Sequence, residues 1–189
     1  KTAAMQQLLT GKKRLPPFGT GKHQSGNATN GQAPANPQNN KTTTPGYKQT
    51  ELGEIPEDWE VKPMVDLTTL MTNGFVGTAK THYTERSDGV LYIQGYNVEE
   101  NRFNFRGIKK VTSKFHQRQS KSCLREGDVL MVQTGEVGLT TVVSEELAGS
   151  NCHALIISRF KLNKYYPLYY SYYLNSFEGR SRLRELEVG

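Results

Sequence analysis

Residues 127–143 read GDVLMVQTGEVGLTTVV. Gly127-Asp128 is a turn pair, and the apolar run Val129–Val132 that follows it is typical of a buried strand. Residues 133–138 are polar and contain two glycines, which suit a tight loop. Thr140–Val143 is again rich in β-branched residues. Because two such runs separated by a short glycine-containing loop form a β-hairpin, the sequence predicts one here.

Other segments complete the fold prediction. Further strands are predicted at Val90–Ile93, Phe103–Val111 and Ala154–Phe160. Helices are predicted at Phe115–Cys123, Pro167–Leu174 and Glu178–Leu186, with a short helix or turn at Lys62–Met71. Strands occupy the middle of the chain and helices its end, without the regular alternation of a Rossmann-type layout. The pattern predicts an α+β fold, with a twisted mixed or antiparallel sheet and flanking helices.

The chain before residue 46 has a different composition. Residues 1–10 favour a helix that ends at Gly11, and residues 19–45 are mostly Gly, Asn, Gln, Thr, Ser and Pro, as in a flexible linker. Residues 52–61 read as an irregular segment that packs Ile55, Trp59 and Val61 on a core. The predicted organisation is a helix end in residues 1–18, a disordered linker in 19–45 and one domain in 46–189. Because the chain starts without Met, we expect a piece of a longer protein.

Charge is unevenly distributed. The net charge is +6, and residues 1–45 hold six basic residues and no acidic ones, so residues 46–189 are neutral overall. Within that neutral part, residues 102–125 contain basic residues and no Asp or Glu: Arg102, Arg106, Lys109, Lys110, Lys114, Arg118, Lys121 and Arg125. Such a run is either a solvated face or a surface that contacts nucleic-acid phosphates.

Polar loops follow the predicted strands and the first Gly-rich segment. Amide and basic side chains are the types that pair with base edges, whereas the alternative for each loop is a plain turn. The predicted DNA-contacting residues, from these loops and the basic run, are Lys80, Thr81, His82, Gln94, Tyr96, Asn97, Arg106, Lys109, Lys110, Lys114, Arg118, Gln133 and Thr134.

No catalytic or metal-binding motif is present. The sequence has no GxSxG elbow, no GxxxxGK[ST] loop and no HExxH pair, and its four histidines are far apart in the chain. We therefore predict a chain that is not an enzyme and holds no metal. Cys123 and Cys152 are predicted to be free thiols, which favours a reducing, cytoplasmic location. No apolar run reaches the roughly 20 residues that span a membrane.

Several segments, in order, resemble the specificity subunit of type I restriction-modification systems. Residues 5–17 resemble the end of that family's spacer helix, and residues 47–61, YKQTELGEIPEDWEV, resemble the start of its target recognition domain. YIQGYNV at 92–98 and GDVLMVQTGEVG at 127–138 resemble its Y-I/V-x-G-x-N-I segment and its G-D-[IV]-L-x-x-x-x-G-x-x-G hairpin. Residues 151–154, the tyrosine-rich helix at 169–176 and Gly179 also fit. Together these segments cover about residues 46–189 and the first 18.

The resemblance implies a role and partners. It implies one target recognition domain that reads double-stranded DNA and directs methylation and cleavage by methyltransferase (M) and restriction (R) subunits. S-adenosylmethionine, ATP and magnesium would serve those subunits, and this chain would bind no cofactor. Two alternatives remain open: the recognition domain of a fused restriction-methyltransferase enzyme, and a protein-interaction module that docks through its tyrosine-rich helix.

Overall fold

The computed structural model describes residues 7–13 and 44–185. They belong to two compact units, Lys1–Val61 and Lys62–Gly189. The predicted helix end at 1–18 and linker at 19–45 lie largely outside the described residues, as does Leu186 of the last predicted helix. The boundary of a recognition domain at residue 46 stays a prediction.

In the first unit the chain turns at Gly11. Residues 7–9 are helical, and Gly11 has a φ of +72°, a left-handed conformation that favours glycine. A Cβ on Gly11 would lie 2.5 Å from Cγ of Pro56, and the Tyr47 hydroxyl donates a 2.8 Å hydrogen bond to the Gly11 carbonyl. For the described residues, the predicted end of this helix at Gly11 is confirmed.

A hairpin follows in the same unit. Strand β1 (Tyr47–Thr50) pairs antiparallel with β2 (Gly53–Pro56). The prediction of an irregular segment from residue 52 is therefore wrong for residues 53–56. The prediction that Val61 packs on a core is also wrong, because this side chain is exposed.

The second unit is built on a four-stranded antiparallel sheet with the order β3-β11-β8-β9. Its strands are β3 (Thr68–Asn73), β8 (Val129–Val132), β9 (Thr140–Val142) and β11 (Leu155–Phe160). Val129 pairs with Val142, which confirms the predicted hairpin. The predicted strand at 154–160 is confirmed as β11, which lies between β3 and β8.

The strand β3 differs from the sequence expectation. A short helix, α1 (Met64–Leu67), occupies the first part of the segment that was predicted as a helix or turn through Met71. The remainder pairs with β11, and its burial alternates from residue to residue. Thr68, Thr69 and Thr72 are β-branched, and this favours a strand once a partner strand is available.

A second, three-stranded sheet has the order β10-β4-β7. Its strands are β4 (Val90–Ile93), β7 (Lys109–Val111) and β10 (Asn151–Cys152), with β10 parallel and β7 antiparallel to β4. A two-stranded ribbon, β5 (Val98–Glu99) and β6 (Arg102–Phe103), stands apart from it. The predicted continuous strand at 103–111 is therefore wrong in its middle, where the chain turns at Gly107 with a φ of +69°.

Alternate residues of β4 face two different cores. Leu91 and Ile93 contribute to one apolar cluster, whose fully buried members include Leu130 and Leu155 of the larger sheet. Val90 and Tyr92 contribute to the other, whose buried members also include Ala79, Val111 and Phe115. Since successive side chains of a strand point to opposite faces, β4 is covered on both sides, as a central strand should be.

An ion pair is buried between the strands of the larger sheet. Arg159 on β11 donates from Nε to Asp128 Oδ1 at 2.8 Å and from Nη2 to Asp128 Oδ2 at 2.7 Å. The Asp128 side chain is fully buried and the Arg159 side chain is 18% exposed. The Arg125 backbone N–H supplies a further bond to the carboxylate at 2.8 Å. The Gly127-Asp128 pair is thus a turn, as predicted, whose acidic member also holds two strands together.

The helices lie at the sides of the sheets. Besides α1, they are α2 (Ser113–Arg118), α3 (Pro167–Asn175) and α4 (Phe177–Glu185). Proline stands in the first turn of α3, as predicted. A polar network attaches α3 to β9, because Asn175 donates to the Thr140 carbonyl at 2.8 Å and accepts from its N–H at 3.0 Å. The α+β class predicted from the sequence is confirmed. None of the described helices is long and apolar enough to cross a membrane.

Candidate nucleic-acid interface

Three turns meet where β4 ends and β7 begins. The Tyr83 hydroxyl donates to Gln94 Oε1 at 3.3 Å, and Gln94 Nε2 donates to the Tyr96 hydroxyl at 2.7 Å. The Tyr96 hydroxyl donates in turn to the Gly107 carbonyl at 3.0 Å. This hydrogen-bond chain joins the turns at residues 80–83, 94–97 and 104–108, so the polar loops predicted separately at Lys80 and Gln94 form one surface.

Tyr96 lies at the outer part of this surface, with 52% of the residue exposed. Partial burial raises the pKa of the Tyr96 phenol above its ordinary value. Gln94 is half-buried, and its amide lies between two tyrosine hydroxyls.

Asn97 does not fit the role predicted for it. The residue is fully buried: its Oδ1 accepts from the Gln94 N–H at 3.0 Å, and its Nδ2 donates to the Asn104 carbonyl at 2.9 Å. Its backbone N–H also donates to the Gln94 carbonyl at 2.8 Å. A side chain used in this way is not presented to a base edge, so Asn97 holds the turn in place and is removed from the set of expected DNA contacts.

Phe115 of helix α2 and Thr112, which precedes that helix, hold the turn at Lys80–His82 in place. The His82 ring stacks on Phe115 with 4.6 Å between ring centroids and an interplanar angle of 24°. The His82 carbonyl accepts from the Thr112 N–H at 3.0 Å. His82 is half-buried by these contacts, whereas Lys80 and Thr81 are exposed. The turn therefore presents Lys80 and Thr81, and His82 serves mainly as its support.

Exposed cations lie in two of the three turns, at the start of β7 and on helix α2. Those predicted as phosphate contacts and found exposed are Lys80, Arg106, Lys109, Lys114 and Arg118. None of them is paired with a carboxylate within residues 7–13 and 44–185. Lys110 is half-buried, and its Cβ packs close to Gly89. Unpaired exposed cations are suited to contact a phosphate backbone.

The β8–β9 loop carries the last two predicted contacts. Gln133 is half-buried and Thr134 is exposed. A Cβ on Gly95 would lie 3.7 Å from Cγ1 of Val132, so the residue that precedes Gln133 adjoins the turn at 94–97. The loop also exposes Glu136, and this carboxylate would repel phosphate. The loop therefore adds no positive charge to the surface.

The basic run at 102–125 is distributed over several places. Arg102 lies on the β5–β6 ribbon and pairs with Glu99 at 2.5 Å. Arg125 belongs to the turn that precedes β8, where its N–H bonds Asp128. The local charge of +8 therefore does not form a single patch. Arg106 lies in the turn at 104–108, and Lys109 begins β7 directly after that turn.

Gly107 is a member of the site that the sequence did not indicate. Tyr83 belongs to the polar loop at 78–84, which the sequence suggests as a whole, but it is not among the predicted contacts. Gly107 gave no signal, because its contribution is a backbone carbonyl.

Both cysteines are free, as predicted, and burial raises the pKa of Cys152 to about 12, so its thiol is neutral. Within the described ranges, no three His, Cys, Asp or Glu side chains come together as metal ligands.

Comparisons with known proteins support the resemblance at the level of the family. No protein-family model matches this chain. A curated protein of Methanocaldococcus jannaschii, provisionally named as the type I restriction enzyme MjaX specificity subunit, is 27% identical over 142 residues. The match covers 71% of this chain and 32% of that relative, so the chain spans about a third of the length of the curated protein that it matches.

Proposed function

We propose that this chain is a DNA sequence-recognition module of a type I restriction-modification system. Two observations support the proposal: the similarity to a protein named as a specificity subunit and the interface described above. Phosphate contacts would position the module on the duplex, and the polar turns would supply the sequence-dependent contacts.

The observation that carries this proposal is the hydrogen-bonded group Tyr83–Gln94–Tyr96–Gly107, which joins turns that carry the exposed cations Lys80 and Arg106. Rigid polar groups give selectivity only if their supporting structure holds them in place. Here the turn is held by the buried Asn97 and the neighbouring turn by Phe115. Without the buried Asn97, the set of proposed contacts is Lys80, Thr81, His82, Gln94, Tyr96, Arg106, Lys109, Lys110, Lys114, Arg118, Gln133 and Thr134.

The chemistry of the system is proposed to belong to other subunits. In this proposal, methyltransferase and restriction subunits use S-adenosylmethionine, ATP and magnesium, and this chain directs them to a DNA sequence in the cytoplasm. A fused restriction-methyltransferase enzyme would use the same interface, and the domain structure of the parent protein would distinguish the two.

A protein-docking function has one observation in its favour. Large apolar or aromatic side chains are exposed at the N-cap of α3, along α3 and at the start of α4, namely Tyr166, Leu168, Tyr169, Tyr172 and Phe177. This surface differs from the interface, so both functions could coexist. Failure of the chain to bind any duplex would leave docking as the better proposal.

The interface can be tested by removing two exposed cations. Replacing Arg106 and Lys109 by Ala is expected to weaken binding to all duplex sequences alike. Because each lost phosphate contact lowers the counterion release, the log–log slope of affinity against salt should fall by about 2. The measurement is fluorescence anisotropy with a labelled duplex at several salt concentrations.

The matched control removes the same charges elsewhere. Lys164 and Arg184 are exposed and lie outside the interface, so replacing both by Ala should leave the slope unchanged. Equal slopes for the two double variants would show that the proposed interface does not contact phosphates.

A further inference from the structure

The side-chain amide of Gln94 has a defined orientation. The Gly107 carbonyl can only accept, so the Tyr96 hydroxyl must use its single proton there. The Tyr96 oxygen can then only accept from Gln94, and this places Nε2 toward Tyr96. Oε1 consequently faces Tyr83, whose hydroxyl donates to it. One assignment of donors and acceptors satisfies the whole chain.

The backbone beneath this amide is held as firmly. The Gln94 N–H and carbonyl are both bonded to Asn97, whose side chain also bonds the Asn104 carbonyl. Asn97 is fully buried. Two tyrosine hydroxyls thus hold the side-chain amide of Gln94, and Asn97 holds its backbone. The hydrogen bond between Gln94 and Tyr96 lies at the exposed surface.

A fixed glutamine amide distinguishes the bases by their major-groove edges. An amide nitrogen has two hydrogens and an amide oxygen two lone pairs, so each can make a second bond. Adenine presents an N7 acceptor and an N6 donor, which together match a glutamine amide. Guanine presents two acceptors, N7 and O6, and a fixed amide oxygen would repel O6.

We propose that Gln94 is a specificity-determining residue that reads adenine in the major groove, and that Tyr96 is the positioning residue that keeps the Gln94 amide from flipping. This inference rests on the proposed function, because it assumes that the surface around Gln94 contacts DNA. It adds the base that is read, the two atoms that read it and the residue that sets their orientation.

The first experiment replaces single atoms of the DNA. The duplex that the chain prefers is selected from a random library, and each adenine in it is replaced in turn by 7-deazaadenine, which lacks N7, and by purine, which lacks the N6 amino group. At one position, both replacements should weaken binding by about 5- to 150-fold, which corresponds to the 1–3 kcal/mol of a good bidentate contact. With Gln94→Ala, both losses at that position should disappear.

The second experiment tests the positioning role of Tyr96. Tyr96→Phe removes the hydroxyl that orients the amide, so the preference for adenine over guanine at that position should fall toward 1. The salt slope should stay unchanged, since the replacement alters no charge. The matched control is Tyr166→Phe, at a residue 82% exposed and outside the interface, which should alter neither preference nor affinity.

The outcomes separate this inference from the proposed function. If the chain binds a preferred duplex, but no adenine responds to both replacements or Gln94→Ala leaves the preference intact, the inference is wrong and the recognition function stands. An unchanged adenine preference in Tyr96→Phe would overturn the positioning role. If no duplex is bound at low salt, both the function and the inference fail.

Discussion

Replacing Asp128 by Asn should destabilise the second unit by about 3–5 kcal/mol, because the change leaves the Arg159 guanidinium without its charge partner in a largely buried position. The carboxylate is fully buried, and it accepts two hydrogen bonds from Arg159 and one from the Arg125 N–H. Urea denaturation followed by far-UV circular dichroism gives the free energy of unfolding.

Two further variants define what the Asp128 result means. Asp88→Asn removes a carboxylate from the Arg86 pair, whose side chains are 77% and 60% exposed, and should cause no measurable change. Replacing Asp128 by Leu together with Arg159 by Met should recover much of the loss, because no charge is then left unpaired. A loss in Asp128→Asn no greater than that in Asp88→Asn would contradict the assigned role of the ion pair.

Replacing Phe115 by Ala should cost about 3–5 kcal/mol of stability. The ring is 2% exposed and makes an edge-on contact with Phe75 at 5.0 Å between centroids, in addition to the His82 stack. Without the Phe115 ring, the Lys80–His82 turn would also lose the contact that holds it in place. The affinity for duplex DNA should therefore fall even where the protein remains folded. Thermal and urea unfolding measure the first effect, and anisotropy measures the second.

Phe177→Ala is the matched control for this prediction. The residue is 78% exposed at the start of α4, and its truncation should change stability by less than about 0.5 kcal/mol. Similar losses of stability in Phe115→Ala and Phe177→Ala would show that the apolar cluster around Phe115 and Tyr92 does not support the interface.

Local patterns were sufficient to predict the hairpin and the C-terminal helices. The β8–β9 hairpin has apolar runs on both sides of a glycine-containing loop, and α3 begins with proline, so neighbouring residues carry the signal. Strand β3 was missed because its pairing with β11 joins residues about 90 positions apart. The pattern of a single sequence does not reveal which distant strand will pair with a segment. The short helix at Met64–Leu67 also hid the point at which the chain changes from helix to strand.

The candidate site was predictable by residue type and only partly by role. Gln94 and Asn97 have similar side chains three positions apart, and the sequence suggested DNA contact for both. The structure leaves Gln94 half-buried, with its amide bonded to the exposed Tyr96, and buries the Asn97 amide completely. Which amide is buried depends on the turn at 104–108, whose Asn104 carbonyl takes a hydrogen bond from Asn97. That turn begins only seven residues after Asn97, but the deciding contact is made by a backbone carbonyl, which residue types do not reveal.

The central claim, that this chain reads DNA sequence, is tested most directly by selection from a library of random double-stranded DNA at low salt, followed by sequencing of the retained duplexes. We expect enrichment of one short sequence motif that contains an adenine, and loss of retention as the salt concentration rises. Retention of duplexes with no enriched motif, or no retention at the lowest salt concentration, would contradict the claim.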